Sequence, residues 1–151
     1  MAVVSTLFSR IIDGELPGRF VWADERCVVL ATIAPISPGH VLVVPREPVS
    51  RFTAADDGLL AHLTSVAAVV GRAQEAAWPG CRAALLVAGF EVPHLHLHVL
   101  PAWGEAELSF ASARTDTPAE DLDAAATSVR AALRAAGEGA HVPSRLDSPA
   151  Q

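Results

Sequence analysis

The stretch Val92-Pro93-His94-Leu95-His96-Leu97-His98-Val99-Leu100-Pro101 carries three histidines at alternate positions. In an extended strand, alternate side chains lie on the same face. The three histidines are therefore predicted to line one surface, while the intervening Leu and Val side chains face the core. The chain has six histidines among 151 residues, so chance is a poor explanation for this spacing.

Three kinds of site fit this row of imidazoles. The first is a metal site, since neutral imidazole is a common zinc ligand, although three ligands along one strand usually need help from elsewhere. The second is a structural row that makes ordinary hydrogen bonds at the surface. The third is a catalytic site, because neutral imidazole serves as a nucleophile or proton carrier near neutral pH. The pattern favours catalysis and leaves the other two open.

Length and charge restrict the class of protein. A chain of 151 residues that is 51% hydrophobic is long enough for one domain with a substantial core and too short to favour two. The net charge of −6 argues against a general nucleic-acid or anionic-membrane surface. A site for phosphate therefore has to be local.

The cysteines and the hydrophobic runs indicate the compartment. Cys27 and Cys81 are far apart and lack a C-x-x-C partner, which is typical of free thiols in a reducing compartment. The segment 1–4 is too short for the core of a signal peptide, and no apolar run of about 18 residues is present to span a membrane. We predict a cytoplasmic protein.

Hydrophobic periodicity and turn residues predict an antiparallel α+β sheet of about five strands. The predicted strands cover 19–23, 27–33, 40–45, 82–88 and 93–100. The predicted helices are a short N-terminal one over 7–12 capped by Ser5, a long one over 56–77 and a C-terminal one over 119–136. We expect one domain over 1–137 and a flexible tail over 138–151.

The string PHLHLHVLP at 93–101 resembles the His-x-His-x-His signature of the histidine triad (HIT) nucleotide hydrolases and transferases. The resemblance extends upstream, in the family's order, through 7–17, 22–27 and 38–45. It implies a HIT-like fold, a homodimer, and a nucleotide phosphoramidase, hydrolase or nucleotidyl transferase acting on a nucleotide conjugate. The alternatives are a nucleotide-binding or sensing protein with little turnover and, less favoured, a metal-binding protein.

The resemblance also implies roles for four histidines. The middle histidine of the triad, His96, would attack the α-phosphorus and form a covalent nucleotidyl-histidine. The backbone carbonyl of His94 and the side chain of His40 would orient it. His98 would place a donor on the α-phosphate oxygens, where negative charge has to be held during transfer.

At the positions that match the family's substrate contacts, some residues fit the family's pattern and others depart from it. The apolar ones, which are equally consistent with ordinary core, are Leu7, Phe8, Ile11, Leu30 and Ile33. Thr32 stands where family members commonly hold the ribose hydroxyls with an Asp, so we expect weaker ribose recognition. Glu91 stands roughly where a Ser or Thr hydroxyl would serve the leaving group, and a carboxylate there repels phosphate unless it is protonated or turned away. We therefore expect a different leaving group.

Some relatives bind structural zinc through two cysteines, a histidine and the first histidine of the triad. The matching residues here are Thr6, Ser9, Pro48 and His94, so three of the four ligands are replaced. The sequence therefore predicts no structural zinc and no cofactor.

Overall fold

The computed structural model describes residues 5–150. The predictions about a leader segment at 1–4 and about the end of the tail at 151 lie outside the described residues. Five antiparallel strands form one sheet in the order β1-β2-β3-β5-β4, which confirms the predicted α+β class. The strands are β1 (Phe20–Ala23), β2 (Cys27–Ala31), β3 (Val41–Pro45), β4 (Arg82–Val87) and β5 (Leu97–Ala102).

Three α-helices accompany the sheet, as predicted: α1 (Leu7–Ile12), α2 (Asp57–Ala77) and α3 (Ala119–Ala135). The cap of α1 is Thr6 and not Ser5, because the Thr6 side chain accepts a hydrogen bond from the Ser9 backbone N–H. Asp56 caps α2 in the same way. Within residues 5–150, no helix is both long and apolar enough to cross a membrane.

The two faces of the sheet differ in what covers them. On the helical face, α2 and α3 pack over a core that includes Val29, Val43 and Val99. On the opposite side, which we call the histidine face, a smaller core gathers around Phe8, which comes from α1, and Leu30. The sheet therefore separates most of the packed core from the surface on which the imidazoles lie.

Strand β5 begins four residues later than predicted, at Leu97 and not at position 93. The reason is the end of its neighbour β3, because Pro45 has no N–H to donate and its carbonyl is bonded to the side chain of His94. The backbone N–H of Leu95 instead donates to the carbonyl of Val49, at 2.7 Å. The predicted alternation of buried and histidine positions is confirmed, since Leu95, Leu97 and Val99 all enter the core of the helical face.

Within the segment expected to be a flexible tail, residues 141–146 contact the domain. The guanidinium of Arg130, itself buried, donates to the carbonyls of Phe20 and Pro143, at 2.7 Å each. The N–H of Phe20 donates to the carbonyl of Leu146 at 2.7 Å, and Val142 is buried in the core. A single buried cation thus ties the segment to β1, a long-range contact that no local pattern signals.

The turn between β1 and β2 is organised by one carboxylate. Asp24 accepts hydrogen bonds from the backbone N–H groups of Arg26 and Cys27, at 2.8 Å each, and from the indole of Trp22 at 2.9 Å. Nε2 of His62 on α2 lies 2.8 Å from the same carboxylate. Burial by itself raises the pKa of Asp24, but these hydrogen bonds outweigh it and lower the pKa from 3.8 to about 2.

The hydrogen bonds of this turn should make part of the unfolding free energy depend on pH in the acid range. Because the folded pKa of Asp24 lies below its unfolded value, the stabilisation is complete above about pH 4 and is lost as the pH falls towards 2. We expect Asp24→Asn to lose about 1–3 kcal/mol of unfolding free energy at pH 7, because the amide leaves donors without an acceptor. Its stability should also change less between pH 4 and 2 than that of the unmodified protein.

Urea unfolding at pH 7, 4 and 2.5 measures both effects. The matched control is Asp116→Asn, which alters an exposed carboxylate with no hydrogen bond among the described residues. A variant at Asp24 that follows the pH dependence of the unmodified protein would contradict the assignment.

Candidate active site

His94 is the buried end of the histidine row, with no exposed surface. Its Nε2 lies 2.7 Å from the carbonyl oxygen of Pro45, which can only accept, so the proton is on Nε2. Its Nδ1 therefore accepts from the hydroxyl of Thr6, at 2.6 Å. The Ser9 hydroxyl lies 3.0 Å from the Thr6 hydroxyl and forms a hydrogen bond with it. The Thr6 hydroxyl thus holds His94 directly, and the Ser9 hydroxyl holds Thr6.

His96 presents one free ring nitrogen. Its Nδ1 lies 2.7 Å from the backbone carbonyl of His94 and donates to it, which leaves the lone pair on Nε2. That atom has no hydrogen-bond partner among residues 5–150, and the ring of Phe8 lies 4.9 Å away between centroids. Burial lowers the pKa of His96, and the bond to the carbonyl only partly offsets it. The imidazole is therefore neutral at pH 7 with its lone pair available.

His40 orients His98, and not His96 as the resemblance implied. The backbone N–H of Ile36 donates to Nδ1 of His40 at 3.0 Å, so the proton of His40 is on Nε2. This Nε2 lies 3.0 Å from Nδ1 of His98 and donates to it. The proton of His98 is then on its own Nε2, where it can be donated to a ligand.

Burial and neighbouring imidazoles keep this second pair neutral. Burial, with a smaller contribution from His98, lowers the pKa of His40 to about 3. Burial and the nearby His96 lower the pKa of His98 to about 4. Neither ring carries a charge at pH 7, so the donor and acceptor assignments above hold there.

The turn that carries His40 requires glycine. Gly39 has φ +88°, and a Cβ there would lie 2.5 Å from the ring of Trp78. The Gln74 side chain, fully buried on α2, donates to the Gly39 carbonyl at 2.9 Å. The end of α2 therefore clamps the turn from the helical face and fixes His40 on the histidine face.

The predicted nucleoside contacts fall into two groups. Phe8 and Leu30 are buried on the histidine face, and Phe8 reaches both His94 and His96. Leu7 and Ile33 are exposed, at 46% and 73%, and Ile11 is half-buried against the Phe8 cluster. The structure thus provides an apolar floor of buried side chains beside the row, whereas Leu7 and Ile33 are open to solvent.

The two divergent positions have different surroundings. Thr32, half-buried at the end of β2, already accepts a hydrogen bond from the Ala34 N–H at 3.2 Å. Glu91 is exposed in the loop between β4 and β5, and its carboxylate makes no hydrogen bond or ion pair within the part of the chain that the structure describes. Glu91 is therefore turned towards solvent.

One side chain beside the histidine row, that of Phe110, is not among the residues predicted from the sequence. The ring of Phe110 lies 4.8 Å from that of His98, between centroids. It comes from the segment between β5 and α3, where alanines, serines and short 3₁₀ turns give no periodic signal. Only the tertiary structure brings this side chain to the histidine face.

A different cluster has the composition of a metal site. The ligand atoms of Asp24, Cys27 and His62 all lie within 4.8 Å of one another. Metal binding needs the thiolate, yet burial and the Asp24 charge raise the pKa of Cys27 far above neutrality. The carboxylate is also saturated by the hydrogen bonds of its turn. This chemistry favours a structural polar cluster over a metal centre.

A cavity of about 430 Å³ lies at the end of the sheet between the loop before β3 and the start of α3. Ala31, Val41 and Ala126 in its wall belong to the core of the helical face. His96 is not part of its lining. Thr32 and His40 do line it, so the cavity adjoins the His40–His98 pair without including the His96 nitrogen.

Comparison with known proteins identifies the family of this chain. The HIT domain family model matches residues 13–104. A HIT-like protein of Synechococcus elongatus is 35% identical over 101 residues, covering 63% of this chain and 88% of that protein.

Two solved structures share the fold over most of their length. A HIT-like protein from Bartonella henselae has a TM-score of 0.75 at 25% identity and covers 88% of this chain and 100% of its own. A histidine triad nucleotide-binding protein from Sulfolobus tokodaii has a TM-score of 0.74 at 28% identity, with 85% and 91% covered. With the family model spanning more than half of its length, this chain belongs to the histidine triad (HIT) family.

Proposed function

We propose that this protein binds a nucleotide conjugate and cleaves it at the α-phosphate through a covalent intermediate on His96, as a hydrolase or nucleotidyl transferase. The proposal is based on the tautomer and the hydrogen bonding of the His96 ring. Its Nδ1–H is held by the His94 carbonyl at 2.7 Å, so the Nε2 lone pair is fixed in direction and has no internal partner among the described residues. A nucleophile needs both properties.

The reaction proceeds in two displacements. In the first, the Nε2 lone pair of His96 forms a bond to the α-phosphorus, and the bond from phosphorus to the leaving group breaks. The leaving group departs with that electron pair and takes a proton from solvent. In the second, water or another acceptor attacks the phosphorus and gives up its proton to solvent, the N–P bond breaks, and the lone pair returns to Nε2.

His98 supplies the charge stabilisation in this proposal. Its Nδ1 accepts from His40 at 3.0 Å, so its proton is on Nε2, and this N–H has no hydrogen-bond partner among residues 5–150. A neutral donor fixed in direction before the substrate arrives needs no reorganisation as negative charge develops on the phosphate oxygens. His40 is then a positioning residue for His98.

The nucleoside is proposed to lie against α1 and the end of β2. Phe8 provides a ring beside His96, and the exposed side chains of Leu7 and Ile33 extend the apolar surface. The solved relative from Sulfolobus tokodaii is described as nucleotide-binding, which supports the same ligand class here.

A nucleotide-binding or sensing protein with little turnover is the second candidate. It is favoured by Thr32, whose hydroxyl is already engaged by the Ala34 N–H, and by the carboxylate of Glu91 in the loop before the triad. A metal site along the row is less favoured. Three of the imidazole nitrogens that would bind it are committed to Pro45, to the His94 carbonyl and to His40.

We propose a homodimer formed through β4. This strand is at the edge of the sheet, so its outer N–H and C=O groups are open to pairing with a second copy, except the Ala83 N–H, which donates to the Glu75 carboxylate at 2.9 Å. Leu85 and Val87 expose 47% and 38% of their surface on it. Gly71 of α2 lies against Ala83 beside them, leaving a shallow groove that a second copy would cover.

The nucleophile can be tested by substitution. We expect His96→Ala to reduce release of nucleoside monophosphate from phosphoramidates and dinucleoside polyphosphates by at least about 10³-fold, because the attacking atom is removed. His141→Ala is the matched control, since that ring stacks on Trp22, 4.4 Å away between centroids, outside the histidine row. Near-normal turnover by the His96 variant would exclude the covalent mechanism.

Sugar selectivity tests the role of Thr32. A single neutral hydroxyl, already bonded to Ala34, should give a preference for ribo- over deoxyribonucleotides of no more than roughly tenfold. Thr32→Asp should increase the preference, because a carboxylate accepts stronger hydrogen bonds from the ribose. Calorimetry with matched nucleoside monophosphates measures both. A hundredfold ribose preference in the unmodified protein would show that another residue holds the sugar.

The dimer interface is tested by charge at the edge strand. We expect Leu85→Glu to shift the sedimenting species from dimer towards monomer, because two buried carboxylates would face each other across the symmetric interface. Phe52→Glu, at a side chain with similar exposure of 50%, should leave the dimer intact. Sedimentation of an unmodified monomer, or of an unchanged Leu85 variant, would contradict the proposal.

A further inference from the structure

The segment over 103–118, which we call the strap, joins β5 to α3 around the end of the sheet. It starts one residue before the end of the family match at 104. Near its start, the Glu107 carboxylate accepts from the backbone N–H groups of Trp103 and Gly104, at 2.6 Å each. Near its end, the Arg114 N–H donates to the Pro35 carbonyl at 2.9 Å. The first of these contacts folds the start of the strap on itself, and the second attaches its end to the loop before β3.

Phe110 lies at the middle of the strap. Its ring meets His98 edge to face, with centroids 4.8 Å apart and planes inclined by 61°. The side chain remains 48% exposed, so part of the ring is open to a ligand. A short 3₁₀ turn begins at Ser109, whose hydroxyl accepts from the Ala111 N–H at 3.2 Å and holds the backbone beside the ring.

Two phenyl rings thus flank the histidine row on different sides. Phe8 lies against His94 and His96, together with the other α1 residues that we assign to the nucleoside. Phe110 lies against His98, whose free Nε2–H is assigned to the phosphate. In an in-line displacement the leaving group lies on the side of the phosphorus opposite the attacking Nε2. With the nucleoside on Phe8, the ring of Phe110, beside the donor His98, is the aromatic surface that remains for the leaving group.

We infer that Phe110 is a specificity-determining residue that stacks on a planar aromatic leaving group attached to the α-phosphate. The inference rests on the proposed function and adds the class of leaving group. An exposed phenyl ring fixed beside the phosphate gains most from a flat π-system of similar size. The exposed position of Glu91 is consistent with this, because an aromatic group makes no use of a hydroxyl there.

The test compares two phosphoramidates of one nucleoside monophosphate. One carries 2-phenylethylamine and the other 2-cyclohexylethylamine, which match in linker and approximate size but differ in planarity. We expect Phe110→Ala to lower the preference for the phenyl conjugate, measured as a ratio of kcat/KM values, by roughly three- to tenfold. Phe110→Tyr should retain the preference. Phe52→Ala is the matched control, because that ring is 50% exposed and lies outside the histidine row.

A binding measurement makes the outcome independent of turnover. The affinities of both conjugates for His96→Ala, with and without Phe110→Ala, are measured by calorimetry, and the same loss of selectivity is expected. Selective binding without turnover in the unmodified protein would overturn the proposed catalysis and support the inference. Turnover with an unchanged selectivity ratio in Phe110→Ala would overturn the inference alone. Failure to bind either conjugate would overturn both.

Discussion

Each imidazole of the histidine face has one nitrogen bonded to a fixed group of the protein, and this determines what the other nitrogen can do. The carbonyls of Pro45 and His94 can only accept, so they fix protons on His94 and His96. The Ile36 N–H can only donate, so it fixes the proton of His40 on the far nitrogen and, through it, that of His98. The resulting row presents a lone pair on His96 next to a donor on His98.

Burial supports these proton assignments, because it keeps the imidazole rings neutral. A charged imidazole would lose hydration in this environment, and the second charge would be repelled by the first, so the pKa values of all four rings are lowered. At pH 7 a neutral ring needs no further activation to act as a nucleophile. The same burial that stabilises the sheet therefore keeps the row neutral at pH 7, as the proposed nucleophilic role of His96 requires.

The part of the chain beyond the family match shapes both faces of the sheet. On the helical face, α3 supplies Arg130, which ties residues 141–146 to β1. On the histidine face, the strap carries Phe110 to His98. Phe110 and Arg130 both lie outside residues 13–104, which the family model matches.

The sequence by itself determined the elements whose signal is local. The alternation around Leu95, Leu97 and Val99 predicted which side of β5 enters the core, and hydrophobic periodicity predicted α2 to within one residue. The motif also brought His94, His96 and His98 together with His40 as candidates, which the structure places on one face.

Only the tertiary structure decided the contacts between residues that are distant in sequence. Thr6 meets His94 across 88 positions, and His40 meets His98 across 58 and not His96. The docking of residues 141–146 and the approach of Phe110 depend likewise on how separate elements pack. Local periodicity reports which face of an element is buried, but the partner on that face is chosen by packing and hydrogen bonding over the whole chain.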